Sequence, residues 1–341
     1  MHLDQERYSR QTLVPQVGIA GQPKLAAGRV AVAGCGALGS ATASLLARAG
    51  VGYIRLIDRD FVEISNLQRQ RLYTEADVES GMPKAAIAAQ RLAEANSEIS
   101  LEAEVTDLSS ANAEALLSDV DVIVDAIDNL EGRFLINDVA LKHSIPWIYG
   151  AVISTYGLSM TILPGEGPCI RCLLPETPAP GTVDTCATAG IFGPIVDWIS
   201  GLQASEAMKL LLGQRDQVSR GLCQVDVWDR ELEVSGVPVR PGCPACAMGR
   251  YEFLEADATS ETVSLCGQDA LQISMPSGST LDLEDLGARL ASGREVLLTP
   301  FMVRFEAEGH EINVFADGRA IIKGTTDPAL GRMLYAKYVG T

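Results

Sequence analysis

Residues 169–172 read Cys-Ile-Arg-Cys and residues 243–246 read Cys-Pro-Ala-Cys. A two-residue gap lets one turn present two thiolates, and two such knuckles can surround Zn²⁺ tetrahedrally. Cys169, Cys172, Cys243 and Cys246 therefore read as a closed, structural zinc site. Two redox dithiols, or plain buried cysteines, are the rival reading. A second constellation lies upstream. Gly34, Gly36 and Gly39 stand in G-x-G-x-x-G spacing, and Asp58 follows the last of them by 58 − 39 = 19 residues. Gly34 suits a tight turn, Gly36 the approach of backbone N–H groups to a phosphate, and Gly39 close packing of helix on sheet. Asp58 stands where an acid would hold a ribose hydroxyl. Asp60, Asn66 and Arg69 come next, Lys84 opens a helix, and Asp128, Asn129 and Arg133 follow a later strand. The glycine turn alone serves a pyrophosphate. Arg69 and Lys84 add cations, and Asp128 adds a carboxylate able to hold Mg²⁺ through oxygen. Such a set suits a triphosphate, whose cleavage needs developing charge stabilised. A solvated charged rim is the alternative.

These residues need strands and helices to hold them. Val30–Ala33 is a short apolar run of strand length, Ser40–Arg48 an Ala/Leu-rich helix, and Tyr53–Ile57 a second strand. Helices are expected over Pro83–Asn96, from Ser109 or Ser110 through Ser118, over Glu131–His143 and over Gly193–Leu212. Strands are expected over Ser100–Val105, Asp121–Ala126, Ile145–Ile153 and Leu222–Trp228. Alternating strands and helices imply an α/β fold, a doubly wound, mostly parallel Rossmann-like sheet. Composition shifts near residues 248–262. Beyond it the pattern predicts strands over Val263–Met275, Glu295–Phe305, Glu311–Phe315 and Ala320–Lys323, with helices over Leu283–Leu290 and Pro328–Tyr338. The expected division is a nucleotide-binding domain with the four cysteines over 1–250 and a small α+β domain over 255–341.

The chain of 341 residues is long enough for a large core plus a smaller one. A net charge of −17 argues against nucleic acid or an anionic membrane as main partner. Asp4, Glu6 and Arg7 give the first ten residues no signal-peptide pattern, which points to the cytoplasm. His2, His143 and His310 sit in no motif, so histidine-based catalysis is not expected.

Taken in order, "RYSRQ", "GCGALGS", "IDRDFVEISNLQRQ", Pro83–Lys84, "DAIDNLEGR", the paired C-x-x-C and "TCATAGIFGP" resemble the ThiF/MoeB/HesA family, bacterial relatives of the ubiquitin-activating enzymes. The resemblance covers about residues 4–250. It implies Mg·ATP-dependent adenylation of the C-terminal glycine of a small β-grasp sulfur-carrier protein ending in Gly-Gly. Position by position, it gives Gly34, Gly36 and Gly39 to the nucleotide and Asp58 to the ribose, with Asp60 close by. It gives Asn66, Arg69 and Lys84 to the phosphates, Asp128, beside Asn129, to Mg²⁺, and the four cysteines to Zn²⁺. Arg10 resembles the arginine that reaches into a neighbouring subunit's site, which implies a homodimer. Cys186, in "DTCATAGIFGP", matches a cysteine that joins the activated tail in ThiF-type members and is dispensable in MoeB-type ones. A sulfur-donor protein would act afterwards. Cys35 reads as a small buried residue, and Cys223 and Cys266 as packing residues. The segment "FADGRAIIKGTTDPALGRMLYAKYVG" resembles the tail of some bacilli-type homologues, and no rhodanese-type cysteine loop is visible. The rivals are a nicotinamide-dependent oxidoreductase, a non-catalytic binding module of the same fold, and adenylation of a non-protein carboxylate.

Overall fold

Apolar β-branched runs punctuated by glycine form the central strands. The computed structural model describes residues 6–176, 186–256, 262–265, 270–273 and 281–340, and the chain divides into two units, Met1–Asp257 and Ala258–Thr341.

The first unit is built on an eight-stranded sheet in the order β3-β2-β1-β4-β5-β6-β7-β8. Its parallel half comprises β1 (Arg29–Ala33), β2 (Tyr53–Ile57), β3 (Ser100–Glu104), β4 (Val122–Asp125) and β5 (Trp147–Ile153). An antiparallel half follows in β6 (Tyr156–Ile162), β7 (Leu222–Asp226) and β8 (Glu231–Ser235). Side chains alternate across the pleat. Val30 and Val32 pack with α2 (Ala37–Ala49) and α4 (Lys84–Ala95), while Ala31 and Ala33 pack with α6 (Leu130–His143) on the opposite face. After two one-turn helices, α7 (Ile170–Leu173) and α8 (Cys186–Ala189), helix α9 (Gly193–Leu211) covers β5 and lies against α2, burying Ile195, Val196 and Ile199. With both faces covered, the central strands β1, β4 and β5 are largely apolar rather than alternating, whereas the edge strand β3, Ser-Leu-Glu-Ala-Glu, alternates. Strand order reverses between β1 and β4, and the crevice outside their carboxyl ends is where such sheets bind ligands.

Several elements lacked a clear pattern: α1 (Gly18–Ala27), α3 (Glu75–Ser80) and the edge strand β8. Helix α5 is shorter than expected, Ala113–Leu117, because Asn112 precedes its first turn and turns its carboxamide back to the Ser109 N–H at 2.9 Å.

The second unit is a six-stranded antiparallel sheet in the order β11-β12-β13-β14-β10-β9. Strand β9 (Thr262–Leu265) pairs antiparallel with β10 (Ala270–Ile273), so the described part of the run expected as one strand over 263–275 is two strands. The run over 295–305 likewise divides into β11 (Val296–Leu298) and β12 (Met302–Ala307). Thr299 and Pro300 break it: Thr299 bonds back to Met302, and proline has no N–H for the ladder. Strands β13 (His310–Phe315) and β14 (Ala320–Lys323) complete the sheet. Helices α10 (Leu283–Ala291) and α11 (Pro328–Tyr338) bury Leu286, Leu290 and Leu334 against Leu271, Val303 and Val314. Among the described residues no helix is long and apolar enough to cross a membrane.

Candidate functional site

The glycine turn follows β1 directly. Gly34 has φ +94°, a conformation that L side chains rarely adopt, and a methyl there would meet the Ala126 carbonyl oxygen at 2.5 Å. A methyl on Gly39 would lie 1.8 Å from the Gly34 oxygen, so α2 packs on the turn only without one. Gly36 differs. A methyl there would meet nothing nearer than the Gln70 side-chain nitrogen at 3.8 Å. Folding requires glycine at 34 and 39; at 36 the space is open toward whatever the turn binds. Among the described residues the Gly36 N–H has no acceptor. The first N–H groups of α2 point the same way, as at anion sites on helix N-termini.

Asp58 closes the floor of this turn. Its carboxylate accepts from the Cys35 N–H at 2.6 Å and from the Asp60 N–H at 2.7 Å. Burial, then the charge of Asp60, raise its pKa to about 6 against the opposing pull of Lys84. The Lys84 ammonium lies 3.5 Å from Asp60 and is almost wholly buried. Burial alone would depress its pKa, but Asp60 and Asp58 outweigh burial and raise it, so the cation persists at neutral pH. Asn66 ends a short 3-10 turn (Ile64–Asn66) and bonds back to the Glu63 N–H at 3.2 Å. Arg69 holds the Ser65 carbonyl at 2.9 Å through one nitrogen, while its Nε is buried without a partner. The next residue, Gln70, is buried with an unpartnered Oε1. Two adjacent side chains thus carry unsatisfied polar atoms, one of them against Gly36. Leaving such atoms unpaired costs about 1–3 kcal/mol each unless a ligand supplies the partner.

The turn after β4 lies beside the glycine turn, because Ala33 pairs with Asp125. Asp128 projects from it, exposed. A buried ion pair shapes the turn. Asp125 accepts from Arg133 Nε at 3.1 Å and from the Ile127 N–H at 3.1 Å, while Arg133 Nη2 donates to the carbonyls of Ile127 and Gly150 at 2.8 and 3.1 Å. Burial raises the Asp125 pKa to about 6 despite Arg133. Arg133 is therefore committed to holding backbone rather than a phosphate. Asn129 caps α6, its Oδ1 accepting from the Gly132 N–H at 2.8 Å.

Arg10, expected to serve a neighbouring subunit's site, lies away from the crevice of its own chain. Arg10 is exposed and has no partner among the described residues. Its neighbours Tyr8 and Gln11 pack at the far end of α2, through Tyr8 to Asn96 and Gln11 to the Ala49 carbonyl. That end lies about 20 Å along the helix from Gly36. Cys186 opens a short helix, Cys186–Ala189, and its side chain lies outside the described residues, as does Cys266. The backbone after it is anchored near the carboxyl end of β5, where the Gly190 carbonyl accepts from the Ser154 N–H at 2.8 Å.

The four cysteines converge. Their sulfurs all lie within 4.8 Å of one another, with Cys169 to Cys243 at 3.7 Å and Cys172 to Cys246 at 3.5 Å. A tetrahedral Zn²⁺ with Zn–S of about 2.3 Å has sulfur–sulfur edges of about 3.8 Å, so the set fits that ion without rearrangement. Burial and the neighbouring sulfurs push the Cys169 thiol up to about 12, so a cation is what would favour its thiolate. The Arg240 N–H points at Cys172 Sγ, 3.4 Å away. Helix α6 braces the first knuckle, where Asn137 accepts from the Ile170 N–H at 3.2 Å, and the segment beyond the second, where Asp138 accepts from the Phe253 N–H at 2.9 Å.

Gln70, Asp125 and Tyr73 were not singled out from sequence. A glutamine and a tyrosine in "LQRQRLY" carry no spacing signal. Asp125 reads as the end of a strand until its partner at i+8 is seen.

A doubly wound sheet with a phosphate-type crevice at its switch point and a cluster of four cysteines defines a nucleotide-binding α/β protein. The ThiF family's sequence profile matches residues 8–246. Over 337 residues the chain is 41% identical to the sulfur carrier protein ThiS adenylyltransferase of Bacillus subtilis, covering 98% of this chain and 99% of that one. It is also 41% identical over 246 residues to a sulfur carrier protein adenylyltransferase of Thermus thermophilus, covering 71% and 90%. MccB of E. coli, solved with ATP, shares the fold at a TM-score of 0.61 and 24% identity, over 70% of this chain and 74% of that one. The chain belongs to the ThiF family.

Proposed function

We propose that this protein is a cytoplasmic, homodimeric adenylyltransferase that uses Mg·ATP to activate the C-terminal glycine of a small β-grasp sulfur-carrier protein ending in Gly-Gly. The observation that carries the reading is the crevice itself: an open face at Gly36 with Gln70 beside it, an unsatisfied Arg69 Nε next in the chain, and a buried lysine held charged by two carboxylates. The B. subtilis relative, alike over nearly its whole length, supports the carrier as the second substrate.

The chemistry asks for position and charge rather than a nucleophilic side chain. A terminal carboxylate oxygen attacks the α-phosphorus, an O–P bond forms, the α–β bridging bond breaks, and pyrophosphate leaves with the electron pair. Gly36 and the start of α2 would hold the phosphates by N–H groups, Arg69 and Lys84 would offset the charge gathering on pyrophosphate, and Asp58 would take a ribose hydroxyl. Asp128 would hold Mg²⁺, which supplies further charge neutralisation. Arg10 would serve the neighbouring subunit's crevice, since it lies far from its own. Zn²⁺ on the four cysteines would cross-link distant segments. Cys186 would act after adenylation: its thiolate would attack the acyl-adenylate carbonyl, AMP would leave with the electron pair of the broken C–O bond, and the thioester would pass to a sulfur-donor protein, in thiamin, molybdopterin or related biosynthesis.

ATP–pyrophosphate exchange with candidate Gly-Gly partners tests this. Exchange with one partner only, lost when its last glycine is deleted, is expected. Exchange with no partner in the presence of bound Mg·ATP would sink the carrier assignment. Cys186→Ser should leave exchange intact.

A further inference from the structure

The Tyr73 side chain is buried, and its hydroxyl lies 2.7 Å from the Cys35 carbonyl and 3.4 Å from that of Lys84. Three separate stretches meet there: the glycine turn, the start of α4 with its lysine, and the segment that carries Asn66, Arg69 and Gln70. The shorter contact fixes more than a distance. Cys35 C=O and Gly36 N–H belong to one peptide unit, which is trans and planar, so the two groups point in opposite directions. A carbonyl pinned inward on Tyr73 obliges the Gly36 N–H to point outward into the crevice. On the other side of the same residue, the Cys35 N–H is held by Asp58 at 2.6 Å. Both peptide planes that flank Cys35 are thus locked before any ligand arrives. Burial keeps the phenol protonated, so the hydroxyl remains a donor across the working pH range.

We propose that Tyr73 is a positioning residue for phosphate binding: its hydroxyl presets the Cys35–Gly36 peptide so that the Gly36 N–H meets a phosphoryl oxygen. The idea rests on the nucleotide reading above and names a residue that touches no ligand. Without the hydroxyl the Cys35 carbonyl is left buried and unpaired, and the plane is free to rotate toward water or toward the phosphate. A carbonyl dipole would then oppose the anion where a donor should attract it.

Tyr73→Phe removes one oxygen and keeps the ring. Displacement of a fluorescent ATP analogue from the full-length protein by ATP, ADP, AMP and adenosine reads the effect, with thermal unfolding measured alongside. Ile54→Val, a buried change away from the crevice, controls for general loss of stability. The expected result is a loss of about 10-fold for ATP, ADP and AMP, the scale of one hydrogen bond to a charged group, with adenosine unchanged. Equal losses for all four ligands would reduce Tyr73 to a structural role and overturn the proposal. Unchanged affinity for all four would also overturn it. Wild-type protein that binds no nucleotide would overturn the nucleotide reading itself, and this inference with it.

Discussion

Gly36→Ala separates what the glycine turn needs to fold from what it needs to bind. The added methyl would find its nearest neighbour at 3.8 Å, ordinary van der Waals contact, on the end of the Gln70 side chain. Gly36 also precedes the first turn of α2 with φ −73°, so alanine there costs about 1 kcal/mol of capping and no left-handed strain. In a unit of this size that is a fall in Tm of about 3 °C. The same methyl points into the space where a phosphate would meet the Gly36 N–H. Loss of that charge-assisted hydrogen bond, with the added bulk, should weaken ATP binding about 100-fold. Gly39→Ala behaves oppositely. Its methyl would sit 1.8 Å from a backbone oxygen, so helix and turn must part by more than about 1 Å, a change in the class that removes about 4 kcal/mol or more. Differential scanning calorimetry and titration calorimetry with Mg·ATP on both variants read the two effects. Gly36→Ala protein that is folded and binds ATP like wild type would refute a phosphate at this turn. Gly36→Ala protein that fails to fold would refute the open space described there.

Three further tests follow from other parts of the molecule. Removing metal from the four-cysteine centre should destabilise the first unit by about 4 kcal/mol, treating the 74-residue Cys169–Cys243 spacing as a closed loop, or a Tm fall of about 10 °C. Calorimetry with zinc content measured in parallel checks this, and chelation that strips metal without moving Tm contradicts it. Asp58 has a pKa raised to about 6, so ATP affinity should fall as pH drops through that value and the ribose acceptor takes a proton. Asp58→Asn should lack that step. For stability the sign reverses: Asp58, Asp125 and Asp138, all raised to about 6, let the folded chain bind protons ahead of the unfolded one. Their contribution to folding is complete below about pH 4 and is lost as pH rises through about 6. Finally, mixing Arg10→Ala with Lys84→Ala protein, each inactive alone, should restore about one quarter of wild-type exchange. Half of randomly assorted dimers are mixed, and each of those has one complete site. No recovery after subunits have been shown to mix would place Arg10 elsewhere.

The parallel half of the sheet was legible because its signals are local. Val30–Ala33, the three glycines and Tyr53–Ile57 state strand, turn, helix and strand within 30 residues, and the cysteine knuckles state their own pairing. Elements with weak patterns escaped. Strand β8 has exposed Leu232 and Val234 among charges, and α1 holds Pro23 within a helix. The run over 295–305 looked continuous because Thr299–Pro300 is too brief a break to stand out against apolar flanks. In the crevice, residue types announced themselves where charge was conspicuous, as at Arg69, Lys84 and Asp128. Arg133 was read with them, yet it serves the backbone; only its distances to Asp125, Ile127 and Gly150 show that. Tyr73 and Gln70 act through which way a peptide or amide faces, and sequence spacing carries no record of that.

Helix α6 starts just past Asp128 and Asn129 and, two turns on, is pinned by Asn137 to Ile170 in the first cysteine knuckle and by Asp138 to Phe253, seven residues past the second. A rod clamped in its middle fixes its tip. A metal held by the four cysteines would therefore govern, at a distance and without touching a reactant, how firmly Asp128 is aimed. On the proposed roles, protein stripped of zinc at the four cysteines would lose magnesium response before it unfolded, and an assay blind to metal content would record that as a fault of the crevice.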